Sequence, residues 1–494
     1  MALILLKVKQ YTRKDFIKLT TAAGAAFYLS ACGLNNDKSK PAKTAAGAAV
    51  PEKPAHGDSP SAHIDLVDKN DPRYNALRAG FNKRIDKRPK LIALCTSTAE
   101  VAAAVRYAHD KGLPIAVKSG GHSMEGFSCN DGGMVINLSK MDAVELLHDS
   151  KIKVGPGCTI SDLYDTILPH GRLLPAGSCA TVAIGGLTLG GGYGICARKF
   201  GLTCDHLVEA TMVDGNGNIH STKDDAELMW ALKGGGTGNF GIVTEMTFTT
   251  HPVPPTLQAH YFKARKLTPD RAASILQTWM ELAPQLPDSC FSGYVLNGGT
   301  LNILITNYEP ENEQLPQLLK KLAAVVDEFR SSHTGTLQRM LRNYYGVGKP
   351  LYFRNSSAGF FKGYTDVAPF IKDIFEKVIA TPGMIYQVNT LGGKINDAAA
   401  EKLSSYPHRA YDFVSELQAY ASAPSQDSRQ ADATSQILKI IEQHGIARQY
   451  VNYCSTEFSN WEHAYYGDNY PRLQAIKRKY DPNDNIRHPQ SVRG

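Results

Sequence analysis

The residues best equipped for chemistry sit in glycine-dense surroundings. Residues 117–126 read Val-Lys-Ser-Gly-Gly-His-Ser-Met-Glu-Gly, following an apolar run at 113–117. Gly120 and Gly121 let the backbone take positive φ angles and approach a ligand with no Cβ in the way. Successive amides in such a turn form a nest for an anion such as a pyrophosphate. His122 lies inside that nest between Ser119 and Ser123, with Lys118 before the loop and Gly126 after it. Taken alone, the loop also fits a tight strand-to-loop turn carrying a solvated histidine. A second stretch argues against that. Residues 177–194 read Gly-Ser-Cys-Ala-Thr-Val-Ala-Ile-Gly-Gly-Leu-Thr-Leu-Gly-Gly-Gly-Tyr-Gly. No ordinary helix or strand carries so much glycine without a ligand close to its backbone. Its reactive group is the thiol of Cys179, followed by Val182, Gly185, Gly186, Leu189, Gly190, Tyr193 and Gly194. A third stretch, 234–244, holds Gly238, Asn239, Ile242 and Val243. A helix C-cap and a turn into a strand account for one or two of its glycines, not for the rest.

A fourth set of candidates lies on a strand expected at 411–420. A period of two puts Val414, Glu416, Gln418 and Tyr420 on one face and Phe413, Ser415, Leu417 and Ala419 on the other. Polar groups so aligned inside a domain mean either a sheet face open to water or a site.

The elements that must position these groups follow from the surrounding pattern. A helix is expected from Thr98 to Gly112, with Ser97 or Thr98 as its cap and Glu100 in its first turn. The strand at 113–117 then leads into the histidine loop. Further strands are expected at 134–139, at 152–157 and from 207 into the turn Asp214-Gly215-Asn216-Gly217. A helix is expected over 159–170, ended by Gly171. The proline cluster at 251–255 marks a domain border. Beyond it come long helices at 315–329 and 428–444, the second ended by Gly445.

A chain of 494 residues exceeds what one core usually serves. A hydrophobic share of 43% is ample for two. The net charge of +7 is modest, and no basic block is interleaved with aromatics, so nucleic acid is not an expected partner. With Tyr 23 against Trp 3, the composition tilts toward flat side chains bearing a hydroxyl, as polar-ligand sites favour. The nine cysteines show no C-x-x-C spacing, so no metal site is expected, and any disulfide pairing stays open.

The stretches at 117–126 and 177–194 together resemble the berberine-bridge-enzyme-like flavoprotein oxidases, within the vanillyl-alcohol-oxidase, or PCMH-type, FAD-binding fold. The resemblance extends through 227–244, revives at Tyr406-Pro407-His408-Arg409-Ala410 and over 449–453, and follows the tail from Trp461 to Val492, covering most of 73–494. It implies an α+β chain. A two-subdomain FAD-binding domain (73–252) would be followed by an antiparallel-sheet-and-helix substrate domain (253–445), and the segment 446–494 would return to complete the first. It implies FAD held twice, by His122 at the flavin 8α carbon and by Cys179 at flavin C6. The remaining residues of the glycine stretches named above, together with Asn452 and Tyr453, would line the cofactor. Such enzymes move a hydride from a carbon bearing a hydroxyl or amine onto the flavin while a base takes the heteroatom proton. Tyr450 matches the family's active-site tyrosine, though a phenol with a pKa near 10 needs a cation or donor to act as base at neutral pH. Gln418 matches the glutamine or glutamate beside the flavin. Relatives often carry lysine where Glu416 stands, so its role does not transfer. Lys118 replaces a usual arginine and could stabilise flavin negative charge or a phosphate. Phe200 replaces a tyrosine and Leu187 a histidine. Val182 implies ready reaction with molecular oxygen, hence an oxidase making hydrogen peroxide.

The implied substrate is a mono- or oligosaccharide or similar alcohol. Oxidative ring closure or amine oxidation of a secondary metabolite is one alternative, and a reductase or binding module with non-covalent flavin is another, since fold alone does not decide function. Residues 1–32 resemble an export signal, with a twin-arginine-like Tyr11-Thr12-Arg13-Lys14 and a lipobox-like Leu29-Ser30-Ala31-Cys32. A lipid on Cys32 would make a membrane the partner of the N-terminus, and residues 33–72 would be a disordered tether in an exported, periplasmic or membrane-anchored protein.

Overall fold

The computed structural model describes residues 64–309, 313–346, 348–421 and 426–494. The expected export signal, Cys32 and most of the expected tether lie outside the described residues. The folded body begins earlier than residue 73. Asp65–Val67 (β1) pairs antiparallel with Leu91–Leu94 (β2), and Val67 is buried against Tyr74, Ile92 and Val135. A three-residue strand is too short to leave a periodic signal, and only its partner stabilises it.

β2, Ile115–Lys118 (β3) and Met134–Asn137 (β4) complete the first sheet in the order β1-β2-β4-β3, with β2 and β3 both parallel to β4. Parallel strands are covered on both faces and so need unbroken apolar runs; all four residues of β4 are buried. The helix Thr98–Asp110 makes the crossover between β2 and β3. Ser97 Oγ accepts from the Glu100 amide at 3.2 Å and the Glu100 carboxylate accepts from the Thr96 amide at 2.7 Å, closing its first turn.

The second sheet contains Val144–Leu146 (β5) and Lys151–Val154 (β6). The helix Ile160–Ile167 follows, its last turn ended by Gly171 in the left-handed region, and then Arg172–Leu173 (β7). Leu207–Asp214 (β8), Ile219–Ser221 (β9) and Gly241–Thr249 (β10) finish an antiparallel sheet in the order β5-β6-β10-β8-β9. His251–Pro252 (β11) pairs with β7 at the border before the next layer.

Gln258–Ala264 (β12), Cys290–Asn297 (β13), Thr300–Asn307 (β14), Glu328–Ser331 (β15), Phe353–Phe361 (β16), Met384–Thr390 (β17) and Phe413–Tyr420 (β18) form one antiparallel sheet, ordered β15-β12-β14-β13-β17-β18-β16. The helices Pro269–Leu282, Gln314–Ala323, Ile371–Ala380 and Asp427–Gln443 cover one face, over a core that includes Trp279, Phe375, Phe413 and Leu417. The opposite face turns Tyr261, Phe291 and Leu304 toward the core of the second sheet. The expected helix at 315–329 stops at Ala323, and Glu328–Ser331 is instead the edge strand. The open backbone of β12 supplies partners there, and Phe329 stacks on Phe262 with ring centroids 4.7 Å apart.

After Gly445, at φ +76°, the chain returns to the first two layers. The helices Trp461–Tyr466 and Tyr470–Tyr480 follow one another there, the second packing beside Ala226–Leu232, and Ile486 bridges to Ile115 of β3. Lys477 is fully buried and donates to Asp481 Oδ2 (2.6 Å), Asn239 O (2.8 Å) and Ile486 O (2.8 Å), while the Val492 amide donates to Asn239 Oδ1. The eight described cysteines are all free thiols.

Candidate active site

One long cavity is bounded by the histidine loop, the 177–189 stretch, residues 237–243, the inner face of the seven-stranded sheet and the tail at 450–454 and 486–490. Its floor at one end is built from β3. Lys118, the last residue of that strand, is buried beneath the loop, and its Nζ donates to Ala79 O and to Leu77 O (2.6 Å). Burial lowers its pKa to about 8. Gly121 sits directly above at φ +72°, where a Cβ would come within 2.9 Å of Lys118 Cε. Lys118 therefore shapes the loop from below and does not reach the cavity wall, contrary to the expectation that it faces flavin or phosphate.

His122 opens on the cavity, with one face stacked on Phe81 at 4.1 Å and Nε2 3.0 Å from Thr181 Oγ1. Burial lowers its pKa to about 4, opposed by a hydrogen bond to the Thr181 backbone, so the ring is neutral at physiological pH. Cys179 opens on the same cavity. Burial, and then the nearby Glu416 carboxylate, push its thiol up to about 12. Ser119, Gly120, Gly121, Ser123, Val182, Gly185, Gly186, Leu189, Tyr193, Gly194, Gly238, Val243, Asn452 and Tyr453 all line the wall. Gly126, Gly190, Asn239 and Ile242 stand behind it. A Cβ on Gly126 would strike Ile85, and one on Gly190 would lie 2.1 Å from Asn452 Oδ1. Asn239 ties down the tail, and Ile242 is buried in the core under the first sheet. Sequence shows that these residues belong to the motif, but not which side of the wall each one faces.

Glu416, Gln418 and Tyr420 share the inner face of β18 as the alternation requires, and all three line the cavity. The alternative of a sheet face open to water is excluded, because every residue of β18 except Tyr420 is buried. Glu416 is the common acceptor of three donor arms. Asn355 Nδ2 donates to Oε1 from β16. Gln418 donates while its own Oε1 accepts from Tyr420 OH at 2.9 Å. Tyr453 donates from the tail; its oxygen lies 2.6 Å from Tyr193 OH, which accepts from Asn389 Nδ2 at 2.9 Å. Burial raises the Glu416 pKa and the three donors pull it back, leaving it at about 7. Tyr450 also lines the cavity, but its oxygen accepts from the Gly192 amide (3.0 Å) and Asn452 Nδ2 (3.0 Å), and burial raises its pKa. No cation contacts it among the described residues.

Asn355, Gln387 and Asn389 were not foreseen. They alternate correctly on β16 and β17, but only the register, with Gln387 opposite Glu416 and Asn355 opposite Gln418, puts them on the same wall. Nor was His488, whose Nε2 donates to Thr237 O (3.0 Å), whose Nδ1 accepts from the Gln490 amide (3.2 Å) and whose ring stacks on Phe127 at 4.4 Å. Among the described residues lining the cavity, Glu416 is the one carboxylate and Arg487 the one permanent cation.

The wall fits FAD. A Cβ on Gly186 would meet nothing closer than 3.8 Å, and one on Gly238 nothing closer than 3.5 Å, so both glycines leave backbone bare toward the cavity, as close ligand approach requires. The family model described as FAD binding domain matches residues 89–223, and that described as Berberine and berberine like matches 449–493. The FAD-linked oxidoreductase YgaK of Bacillus subtilis is 30% identical over 452 residues, covering 86% of this chain and 96% of its own. The chain belongs to the berberine-bridge-enzyme-like FAD-linked oxidases. The chitooligosaccharide oxidase of Gibberella zeae is 28% identical, with 84% of this chain and 89% of its own covered. The crystal structure of an aclacinomycin oxidoreductase superposes with a TM-score of 0.79 at 26% identity, over 87% of this chain and all of that one. The protein is thus an FAD-linked oxidoreductase of PCMH-type fold. Its two family matches meet in space at the cavity, one supplying His122 and Cys179 and the other Tyr450, Asn452, Tyr453 and His488.

Proposed function

We propose that the protein is an oxidase that takes a hydride from a hydroxyl-bearing carbon of a neutral polar substrate, a mono- or oligosaccharide being the favoured class. FAD would be attached to both His122 and Cys179, and molecular oxygen reduced to hydrogen peroxide. The observation that carries this reading is the environment of Glu416, the one carboxylate lining the cavity among the described residues, buried there and bonded by Asn355, with a pKa raised to about 7. The bound flavin supplies the hydride acceptor. Glu416 takes the hydroxyl proton, since a base is most effective when its pKa lies near the working pH. Asn355, Gln387, Asn389 and Gln418 provide amides that can bond sugar hydroxyls without introducing charge. Burial raises the Tyr450 pKa, outweighing the two donors at its oxygen that lower it, so Tyr450 orients Asn452 and the 190–192 turn and is not the base. The relative named chitooligosaccharide oxidase and a second, glucooligosaccharide oxidase of Sarocladium strictum, support the substrate class.

Export and lipidation at Cys32 are part of the same proposal and rest on the sequence of residues 11–32. Radiolabelled palmitate incorporated by the full chain, and lost in Cys32→Ser, is the expected result. For the activity, the test is to express residues 33–494, denature in acid, map flavin-bearing peptides by mass and screen sugars and alcohols for peroxide. Flavin on both His122 and Cys179 peptides with peroxide from a sugar supports the proposal. FAD wholly released, with steady NADPH oxidation, would move the reductase reading ahead.

A further inference from the structure

The turn that carries one proposed attachment residue also grips the other. Thr181 lies two residues after Cys179, and its hydroxyl is 3.0 Å from His122 Nε2. The turn is fixed from outside the cavity. The Val182 amide donates to Cys179 O, the Ala180 amide to Tyr345 O, and the Ile160 and Ser161 amides to Val182 O and Ala180 O. The two loops touch directly, since a Cβ on Gly120 would lie 2.8 Å from the Ala183 nitrogen. Phe81 stacks on the imidazole at 4.1 Å and 22°, and its own amide donates to Gly121 O at 2.9 Å, so the stacking ring is anchored to the histidine loop. The ring is therefore held both at one edge and across one face, and Nδ1 has no hydrogen-bond partner among the described residues. Two contacts that only fix a ring could be purely structural. What sets these apart is that they engage one nitrogen and leave the other bare.

We propose that Thr181 is a positioning residue for flavin attachment: with Phe81 behind the ring, it holds His122 in the tautomer that carries hydrogen on Nε2 and leaves the Nδ1 lone pair free. The inference rests on the reading that His122 bears the flavin. A threonine hydroxyl can accept from a ring N–H as well as donate to a bare nitrogen, and the proposal is that it accepts, so that the nitrogen turned toward Thr181 is the one bearing hydrogen. The opposite tautomer would place a hydrogen on Nδ1 and remove the nucleophile. In the attachment step the 8α methyl loses a proton, the Nδ1 pair forms the N–C bond, and the ring keeps an electron pair. Molecular oxygen removes that pair with two protons as hydrogen peroxide. The methyl proton and the Nε2 hydrogen are those two protons, so the attached ring ends neutral and its Nε2 then accepts from the Thr181 hydroxyl instead of donating to it. Because one turn presents both Cys179 and Thr181, displacing Thr181 disturbs attachment at His122 while the Cys179 thiol stays on the wall.

The test uses residues 33–494 produced with FAD, comparing wild type with Thr181→Val, Thr181→Ala and Thr181→Ser. Three quantities are read: total FAD bound, its acid-released fraction, and flavin mass on the His122 and Cys179 peptides against time. The expected result is that Val and Ala variants still bind FAD but attach it to His122 ten- to a hundred-fold more slowly, on the order of what a misaligned nucleophile costs, while Ser restores the wild-type rate. Attachment at the wild-type rate in Thr181→Val overturns the inference, as does a Ser variant as slow as Val. Wild-type protein with no flavin on His122 overturns the attachment reading itself, and this inference with it.

Discussion

At the scale of single residues, the proposed assignment of the base to Glu416, and not to the Tyr450 that the family resemblance favours, is tested by two substitutions. Glu416 works only when ionised, and burial raises its pKa to about 7, so kcat/KM is expected to rise with pH through about 7. Glu416→Gln removes that limb and lowers kcat by about 10²–10⁴-fold while FAD content holds, which a pH–rate profile with stopped-flow flavin reduction would read. Tyr450→Phe instead strips an acceptor from the Gly192 amide and Asn452 Nδ2. It is expected to cost about 1–3 kcal/mol of stability in a denaturant titration and to leave the pH limb in place. If the limb survives in Glu416→Gln and vanishes in Tyr450→Phe, the two roles are reversed.

At the scale of elements, the site depends on two glycine loops in contact with each other and a strand whose alternation is satisfied on both faces. Gly120 marks the contact: an added Cβ would meet backbone, not a yielding side chain, with Ala183 N at 2.8 Å and Thr181 O at 3.2 Å. Gly120→Ala must therefore push the histidine loop away from the cysteine turn. The expected outcome is loss of bound FAD and of flavin on both peptides, read as a fall in the ratio of flavin to protein absorbance. Gly171→Ala, at a helix end where a Cβ meets nothing within 4 Å, serves as the contrast. Its left-handed φ of +69° lets it lower stability by about 1 kcal/mol with FAD content unchanged.

At the scale of the whole molecule, the cavity closes only because the chain leaves the FAD layers, builds the seven-stranded sheet and comes back. Lys477 secures the return, buried and bonded to Asp481, to Asn239 O and to Ile486 O. Lys477→Met leaves the Asp481 carboxylate buried without its partner, which typically costs about 3–5 kcal/mol. Thermal unfolding is expected to move down accordingly and FAD affinity to weaken, because the same tail presents His488, Tyr453 and Asn452 to the cavity. An unchanged melting temperature would mean that the tail is held some other way. Arg409 makes a matching tie across the layers, its guanidinium donating to Asp205 Oδ1 (2.5 Å) and Ile395 O (2.8 Å).

The sequence by itself determined where backbone must approach a neighbour closely, and it marked His122 and Cys179 as the reactive groups there; the structure shows that Gly186 and Gly238 stay bare toward the cavity while Gly120, Gly121 and Gly185 close on Ala183, Lys118 and Pro156. It also determined the facing of β18, since period-two alternation is a local property of the strand. The tertiary structure decided what local pattern cannot carry. The carboxylate of Glu416 reads in sequence as one polar residue among three, and stands out as the proposed base only because Asn355, Gln418 and Tyr453 converge on it from another strand, its own strand and the tail. The short strand β1 and the edge strand β15 exist because a partner backbone was open beside them. Lys118, Asn239 and Ile242 belong to the motifs by position yet turn away from the cavity, because which side of a loop meets solvent, ligand or core is set by the layers packed behind it.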